Sequence, residues 1–479
     1  MHAIQLSKLL PKLKVFLLGW ALFGTSAFAA QGGAMSDLGL IWAVPFVGVL
    51  LSIAIFPLVA PSFWHHHFGK VAAGWMLLFA VPAAVQFGAN DLVHIVSHAL
   101  LAEYIPFIVL ISCLYIVSGG IYIKGNLHGS PKVNTAILAI GTVLASVMGT
   151  TGAAMLLIRP LLRANDNRKH KTHVVVFFIF LVANIGGSLT PLGDPPLFLG
   201  FLKGVPFFWT MTHIWQDTLL AAVILLGVFF AMDSYFYHNR EEEMPAIMDP
   251  TPDTRRIRFE GGLNFVWLLG AIGCVLLSGL WRPNVSFNLL GTDVALQNVV
   301  RDVGLILMAL LSWLTTDKEV RISNHFNFEP VFEVAKLFVA IFVTIAPVIA
   351  MLQAGVDGPF AGLVRLVHDA NGVPIDGRYF WATGILSGFL DNAPTYLVFF
   401  NLAGGDVGVL TTQLASTLAA ISAGSVFMGA LSYIGNAPNF MVKSIAENSG
   451  LKMPSFFGYM LWSFAILLPV FLLLTVLFI

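Results

Sequence analysis

Apolar runs separated by short polar loops dominate this chain. Runs of about 20 apolar residues, the length that carries a helix across the hydrocarbon core of a bilayer, recur at 38–60, 71–87, 104–123, 215–232, 263–281, 299–316, 331–352 and 457–479. Four more are broken from within: 133–162 by Gly149-Thr150-Thr151-Gly152, 174–202 by Pro191-Leu192-Gly193-Asp194-Pro195-Pro196, 379–402 by Asp391-Asn392-Ala393-Pro394, and 414–445 by Gly435-Asn436-Ala437-Pro438. Lipid cannot hydrogen-bond the backbone groups that such breaks release, so they persist at membrane depth only where protein or a water-filled cavity lines them. The pattern predicts an all-α integral membrane protein of about 10–12 membrane segments, with two re-entrant hairpins and two broken helices.

Composition supports lipid as the solvent. Hydrophobic residues make up 57% of the chain and charged residues 10%, against about 25% charged in an average soluble domain; Phe occurs 40 times and the mean hydropathy is +0.84. Lys plus Arg equals Asp plus Glu at 25 each, which removes the basic excess that a nucleic-acid partner requires. Cys113 and Cys274 lie inside apolar runs and read as small core residues, because a disulfide framework or zinc site needs more cysteines in polar segments. At the N-terminus, Lys8, Lys12 and Lys14 precede the apolar run 15–23 and an Ala27-Phe28-Ala29 pattern. Residues 1–30 therefore read as a cleavable secretory signal or as an uncleaved first helix. Either reading leaves Gln31 outside.

Basic residues then set the topology. The loop 163–173 carries Arg163, Arg168, Lys169 and Lys171, and the loop 233–260 carries Arg240, Arg255, Arg256 and Arg258; both are expected in the cytoplasm. Three crossings from Gln31 bring 124–132 inside, so 133–162 has to enter and return, with its tip at 149–152. The broken 174–202 leads out to Lys203, and 215–232 returns to the Arg-rich loop. In the second half 331–352 leads outward, 379–402 becomes a hairpin entering from outside, and 414–445 runs inward to Lys443. The expected location is a cell membrane, the inner membrane of a bacterium.

Each half thus reads span, hairpin, broken span, from opposite sides: an inverted repeat. The expected organisation is scaffold helices at 31–103, a first repeat at 104–232, a cytoplasmic loop at 233–260, scaffold helices at 261–328, a second repeat at 329–446 and a C-terminal helix at 447–479. Gly149 to Gly193 and Asn392 to Asn436 are both separated by 44 residues. Paired interrupted helices in inverted halves point to a transporter site near the bilayer midplane.

Residues 184–196, Asn-Ile-Gly-Gly-Ser-Leu-Thr-Pro-Leu-Gly-Asp-Pro-Pro, and 390–395, Leu-Asp-Asn-Ala-Pro-Thr, resemble the signatures of the ion transporter (IT) superfamily, which includes arsenite permeases, NhaD-type sodium/proton antiporters and citrate/metal carriers. The resemblance covers most of the chain after about residue 38. It implies two hairpins and two unwound helices around one site, with scaffold helices mediating a homodimer. The dicarboxylate branch carries Ser-Asn-Thr at both hairpin tips, whereas the tips here read Gly-Thr-Thr-Gly and Asp-Asn-Ala-Pro, which weakens a dicarboxylate reading.

The residues at the breaks favour a cation. An ionised carboxylate at the positions predicted for Asp194 and Asp391 costs at least a few kcal/mol uncompensated, and a bound sodium ion or a proton compensates it. Freed carbonyls and the side chains of Thr150, Thr151, Thr190, Asn392, Thr395 and Asn436 offer hard oxygen ligands. Asn184, Gly193 and Gly435, in the same segments, complete the candidate ion- or substrate-binding set. Half-helix N-termini beyond Pro195 and Pro394 also suit an anion. The plain structural reading makes the Asp residues N-caps and the Gly and Pro residues shapers of the break.

Other polar residues carry weaker signals. Glu103, Glu329, Glu333 and Lys336 read as interfacial anchors or a proton relay, with Glu333 and Lys336 placed to pair on one helix face. Arg159 reads as snorkelling. His65-His66-His67 reads as a solvated loop, and Asp91, His94 and His98 form a weak metal face near the outer interface. The leading function is a secondary carrier exchanging sodium for protons, with sodium ion or proton as coupling ion and no other cofactor. The alternative is a carrier of citrate, another carboxylate or an oxyanion such as arsenite. Partners are then a small ion or small-molecule substrate and the lipid bilayer. A membrane-embedded enzyme acting on lipid-linked substrates is the other class; no Ser/His/Asp set, zinc motif or Walker loop supports it, and an enzyme needs no inverted duplicate.

Overall fold

The computed structural model describes residues 38–125, 128–239 and 258–479. The signal-like segment 1–30 and the basic residues Arg240, Arg255 and Arg256 lie outside the described residues. In chain order the principal helices are α1 (Leu40–Val59), α2 (Pro61–Gln86), α3 (Ala89–Ser118), α4 (Pro131–Met148), α5 (Thr150–Ala164), α6 (Thr172–Leu181), α7 (Pro195–Lys203), α8 (Trp209–His213), α9 (Trp215–Asn239), α10 (Asn264–Leu280), α11 (Leu296–Thr315), α12 (Glu329–Thr344), α13 (Ala346–Gln353), α14 (Asp376–Phe389), α15 (Asn392–Leu402), α16 (Ala415–Phe427), α17 (Ala437–Asn448) and α18 (Phe456–Leu477), with short helical turns at Lys318–Ser323, Ala361–Val367 and Val407–Leu410 between them. Among the described residues seven helices are long and apolar enough to cross a membrane, or eight when the bent pair α12–α13 counts as one span. This is an all-α, multi-pass membrane protein.

Two small antiparallel ribbons mark opposite ends of the bundle. Strand β1 (Tyr122–Lys124) pairs with β2 (Arg258–Glu260), where the Lys124 ammonium lies 3.0 Å from Glu260. Arg163 joins this end, donating to the Ile123 carbonyl at 2.8 Å and covering the Tyr122 ring. Lys124, Arg163 and Arg258 therefore share one end, the end that the positive-inside rule expects in the cytoplasm. At the other end β3 (Ser286–Leu289) pairs with β4 (Thr292–Ala295), and His94 and Ser97 of α3 bond the carbonyls of Gly291 and Leu290, each at 3.0 Å.

Several expected boundaries shift for local reasons. The span expected at 71–87 begins at Pro61, because proline at the first helical position starts a helix without losing a needed N–H. His65, His66 and His67 are consequently helical rather than in a loop, and the rings of His66 and His67 reach the carbonyls of Ser62 and Phe63 one turn back. The span expected at 104–123 extends back to Ala89, through a π-helical stretch at Ala99–Tyr104. The span expected at 331–352 bends by 43° between Thr344 and Ala346, where Pro347 supplies no backbone donor to the preceding turn.

The interrupted segments occupy the interior. From His173 to Leu181 every residue of α6 is buried, and so is every residue of α15. The scaffold helices α1, α2, α10 and α11 turn apolar side chains such as Val47, Leu77, Leu269 and Leu307 outward. Breaks thus sit where protein, not lipid, surrounds the freed backbone groups.

Helices α4 and α5 form an antiparallel hairpin about Gly149, whose φ of 83° is the left-handed turn that glycine tolerates. The base is closed by a reciprocal amide pair, Asn134 to Asn165 at 2.9 Å and back at 2.8 Å. Asp233, near the end of α9, docks this base: its carboxylate accepts from Asn134 at 3.0 Å and His173 at 2.8 Å and pairs with Arg168 at 2.6 Å, all fully or nearly fully buried. The second hairpin, α14 and α15, opens toward the other end, since Val407 beyond α15 lies beside Gly204 beyond α7.

The two hairpin-plus-broken-helix units share one spacing of helix starts and hydrogen bonds along the sequence. Thr150 and Asn392 start α5 and α15, and Pro195 and Ala437 start α7 and α17, each pair 242 residues apart. Thr190 donates to the Ser146 carbonyl and Ser432 to the Gly388 carbonyl, both across 44 residues. Each hydroxyl then accepts a backbone N–H two residues on, from Leu192 and Ile434, both at 3.2 Å. Each half-helix packs along the hairpin of the opposite unit, α7 on α15 and α17 on α5.

Candidate functional site

Four half-helices begin at one place. Asp194 precedes α7, Asn436 precedes α17, and Thr150 and Asn392 are the first residues of α5 and α15. The Asp194 carboxylate is their meeting point. Its Oδ1 accepts from the Thr150 hydroxyl at 3.0 Å and the Asn436 amide at 3.0 Å, and its Oδ2 accepts from the Asn392 amide. All four residues are buried.

Local backbone geometry makes this convergence. Asp194 and Asn436 are extended, at φ −141°, ψ 144° and φ −151°, ψ 137°, because the prolines that follow within two residues disfavour a helical predecessor or begin a new helix. Gly193 lies against Gly187, and Gly435 against Gly429, so closely that a Cβ would collide with backbone. The Gly193 carbonyl then accepts the Thr150 N–H at 2.8 Å.

Asn184 supports Asn436 from beneath. Its amide donates to the Ile179 carbonyl at 2.8 Å and to Asn439 Oδ1 at 2.7 Å, while its own oxygen lies 3.4 Å from the Asn436 amide. Asn436 also reaches the Ala183 carbonyl at 3.0 Å. Asn439 went unnoticed in sequence; it donates to the carbonyls of Gly429 and Ser432, each at 2.9 Å, and so braces the second break. Its signal was its place three residues beyond Asn436, on the first turn after the break.

Other expected residues are placed differently. Thr190 and Thr395 turn their hydroxyls to backbone carbonyls, of Ser146 and Asp391, because a hydroxyl beside freed or terminal backbone groups satisfies them first. Thr151 is half-buried and makes no hydrogen bond to Asp194 among the described residues. The two acids diverge: Asp391 caps α15, accepting the Ala393 N–H at 3.1 Å, whereas Asp194 makes no such capping bond. Replacing Asp391 by Asn, a comparable cap, is accordingly expected to cost about 1 kcal/mol or less, read as a small shift in thermal unfolding midpoint.

The expected Glu333–Lys336 pair is also not formed. Lys336 instead lies over the Phe68 ring at 5.2 Å, a cation–π contact that keeps its stem on the apolar scaffold. Glu329 faces His65 at 3.5 Å, and Glu103 pairs with Lys203 at the end of α7. Among the described residues no group of three His, Cys, Asp or Glu gathers that could hold a metal ion.

Paired interrupted helices meeting inside a multi-pass bundle are the arrangement in which membrane transporters build their sites. The chain belongs to the family described as "Putative citrate transport", whose profile matches residues 35–479. It is also similar to uncharacterized transporters of Mycobacterium bovis and Mycobacterium tuberculosis, each 24% identical over 328 residues, covering 67% of this chain and 71% of the relative.

Proposed function

We propose that the chain is an ion-coupled carrier of citrate or a related carboxylate in a bacterial inner membrane, using sodium ions or protons. The observation that carries this reading is the convergence of four half-helix starts on Asp194. Each helix N-terminus presents roughly half a positive charge, so four bring about +2, against the −1 of Asp194 and the −1 of the Asp391 cap. An added carboxylate therefore enters together with a coupling cation, with helix starts and Thr or Asn donors as its partners. The family description adds weight to the same reading.

Sodium/proton antiport without a carboxylate is the second reading. Asn392 Oδ1 favours it: this buried oxygen has no hydrogen-bond partner among the described residues and, beside Asp194, is a hard ligand for a cation. One experiment separates the two. Purified protein in liposomes is expected to accumulate labelled citrate when a sodium or proton gradient is imposed, and to move protons in response to sodium only when citrate is present. Proton movement driven by sodium alone, with no citrate uptake, would establish the antiporter instead.

A further inference from the structure

We propose that a cavity at the outer end of the bundle, between α8, the start of α9 and α16, recruits a partly hydrated alkali cation, with Asp217 as its anionic ligand. The cavity has a volume of about 230 Å³ and is lined by His213, Asp217, Ala415, Ser416 and Ala419, among others. At about 30 Å³ per water it holds an ion together with several waters.

Asp217 is the reason to place a cation there. Its side chain belongs to a residue only 6% exposed, and its Oδ1 has no hydrogen-bond partner among the described residues. No lysine or arginine lines the cavity. A buried carboxylate oxygen left without a donor costs free energy that water or an ion has to offset. Carboxylate with the Ser416 hydroxyl is a hard ligand pair. His213 Nδ1 sits 2.8 Å from the Trp209 carbonyl, and its ring stacks on Trp209. Apart from Asp217, Ser416 and His213 the lining side chains are apolar, four alanines with Ile214, Phe478 and Ile479, and these add no side-chain oxygen, so the ion keeps part of its water.

The cavity wall is tied to the broken segment that leads to the central site. Thr218, the next residue, shares a 2.7 Å hydrogen bond with Ser188 in the broken segment, and Thr210 donates to the Leu189 carbonyl at 2.9 Å. That segment continues through Thr190 and Gly193 to Asp194. The role in transport rests on the proposed ion coupling; the binding itself does not depend on the substrate.

The test is scintillation-proximity binding of radioactive sodium to the purified full chain in lipid nanodiscs, with choline chloride holding the ionic strength. Wild type is expected to show saturable binding that weakens by at least about tenfold in Asp217→Asn and in the cavity-filling Ala419→Leu. Absence of saturable binding in wild type, or wild-type affinity in folded Asp217→Asn and Ala419→Leu, would mean that the cavity holds water alone and would overturn the proposal. Citrate is absent from the assay, so failure of citrate uptake leaves its outcome untouched.

Discussion

Asp194→Asn is expected to lower transport by about 100-fold or more while the protein still inserts and folds. Three donors converge on this carboxylate, two at Oδ1 and one at Oδ2, and hydrogen bonds to an ionised group are worth about 1.5–3 kcal/mol each. Asparagine keeps one acceptor but sets an NH₂ against a donor and removes the charge that balances the helix starts. Losing about 3 kcal/mol from the transport cycle corresponds to about 100-fold in rate. A role in capping alone predicts almost no loss, because Asn caps as well as Asp, and Asp194 makes no capping bond. The measurement is labelled-substrate uptake normalised to protein in the membrane. Near wild-type uptake by Asp194→Asn would take this carboxylate out of the mechanism.

Asp233→Ala is expected to cost about 3–5 kcal/mol, the range found when one partner of a buried ion pair is removed. The carboxylate is fully buried, and its loss breaks the 2.6 Å ion pair with Arg168, a residue itself 6% exposed. The same change undocks the base of the first hairpin, since Asn134 and His173 lose their acceptor. Against a total stability of about 5–15 kcal/mol for a typical domain, that loss removes a large share of the total, so the unfolding midpoint should fall sharply, and Asp233→Asn should be milder. Fluorescence-detected size-exclusion chromatography with a thermal ramp checks both variants.

The breaks were legible because Gly and Pro interrupt apolar runs, which is a local signal. Their mutual register was legible only in part. The separation of 44 residues recurs in the structure, but it links Thr150 to Asp194, so Asn392 corresponds to Thr150 and Gly149 corresponds to Asp391. Side-chain identity alone could not make that one-residue distinction; the backbone turn at Gly149 does.

Contacts between distant segments were not legible at all. Asn184 and Asn439 meet across 255 residues, and Asn134 and Asp233 across 99. Nothing in a linear pattern distinguishes these polar residues from others in apolar runs. For the same reason Asp194 and Asp391 looked alike in sequence, both being acids at a break. Packing of four helix starts separates them, making one the centre of the site and the other a cap.

The central claim is that two inverted units share one site reached from both ends of the bundle. Its most direct measurement uses single cysteines at Thr151→Cys and Leu390→Cys, both half-buried positions at the hairpin tips, in a background lacking Cys113 and Cys274. Membrane-impermeant thiol reagents are applied to right-side-out and inside-out vesicles. The account predicts labelling at 151 from the cytoplasmic side and at 390 from the outer side, with citrate protecting both. Labelling of both from the same side alone, or protection of neither, would contradict it.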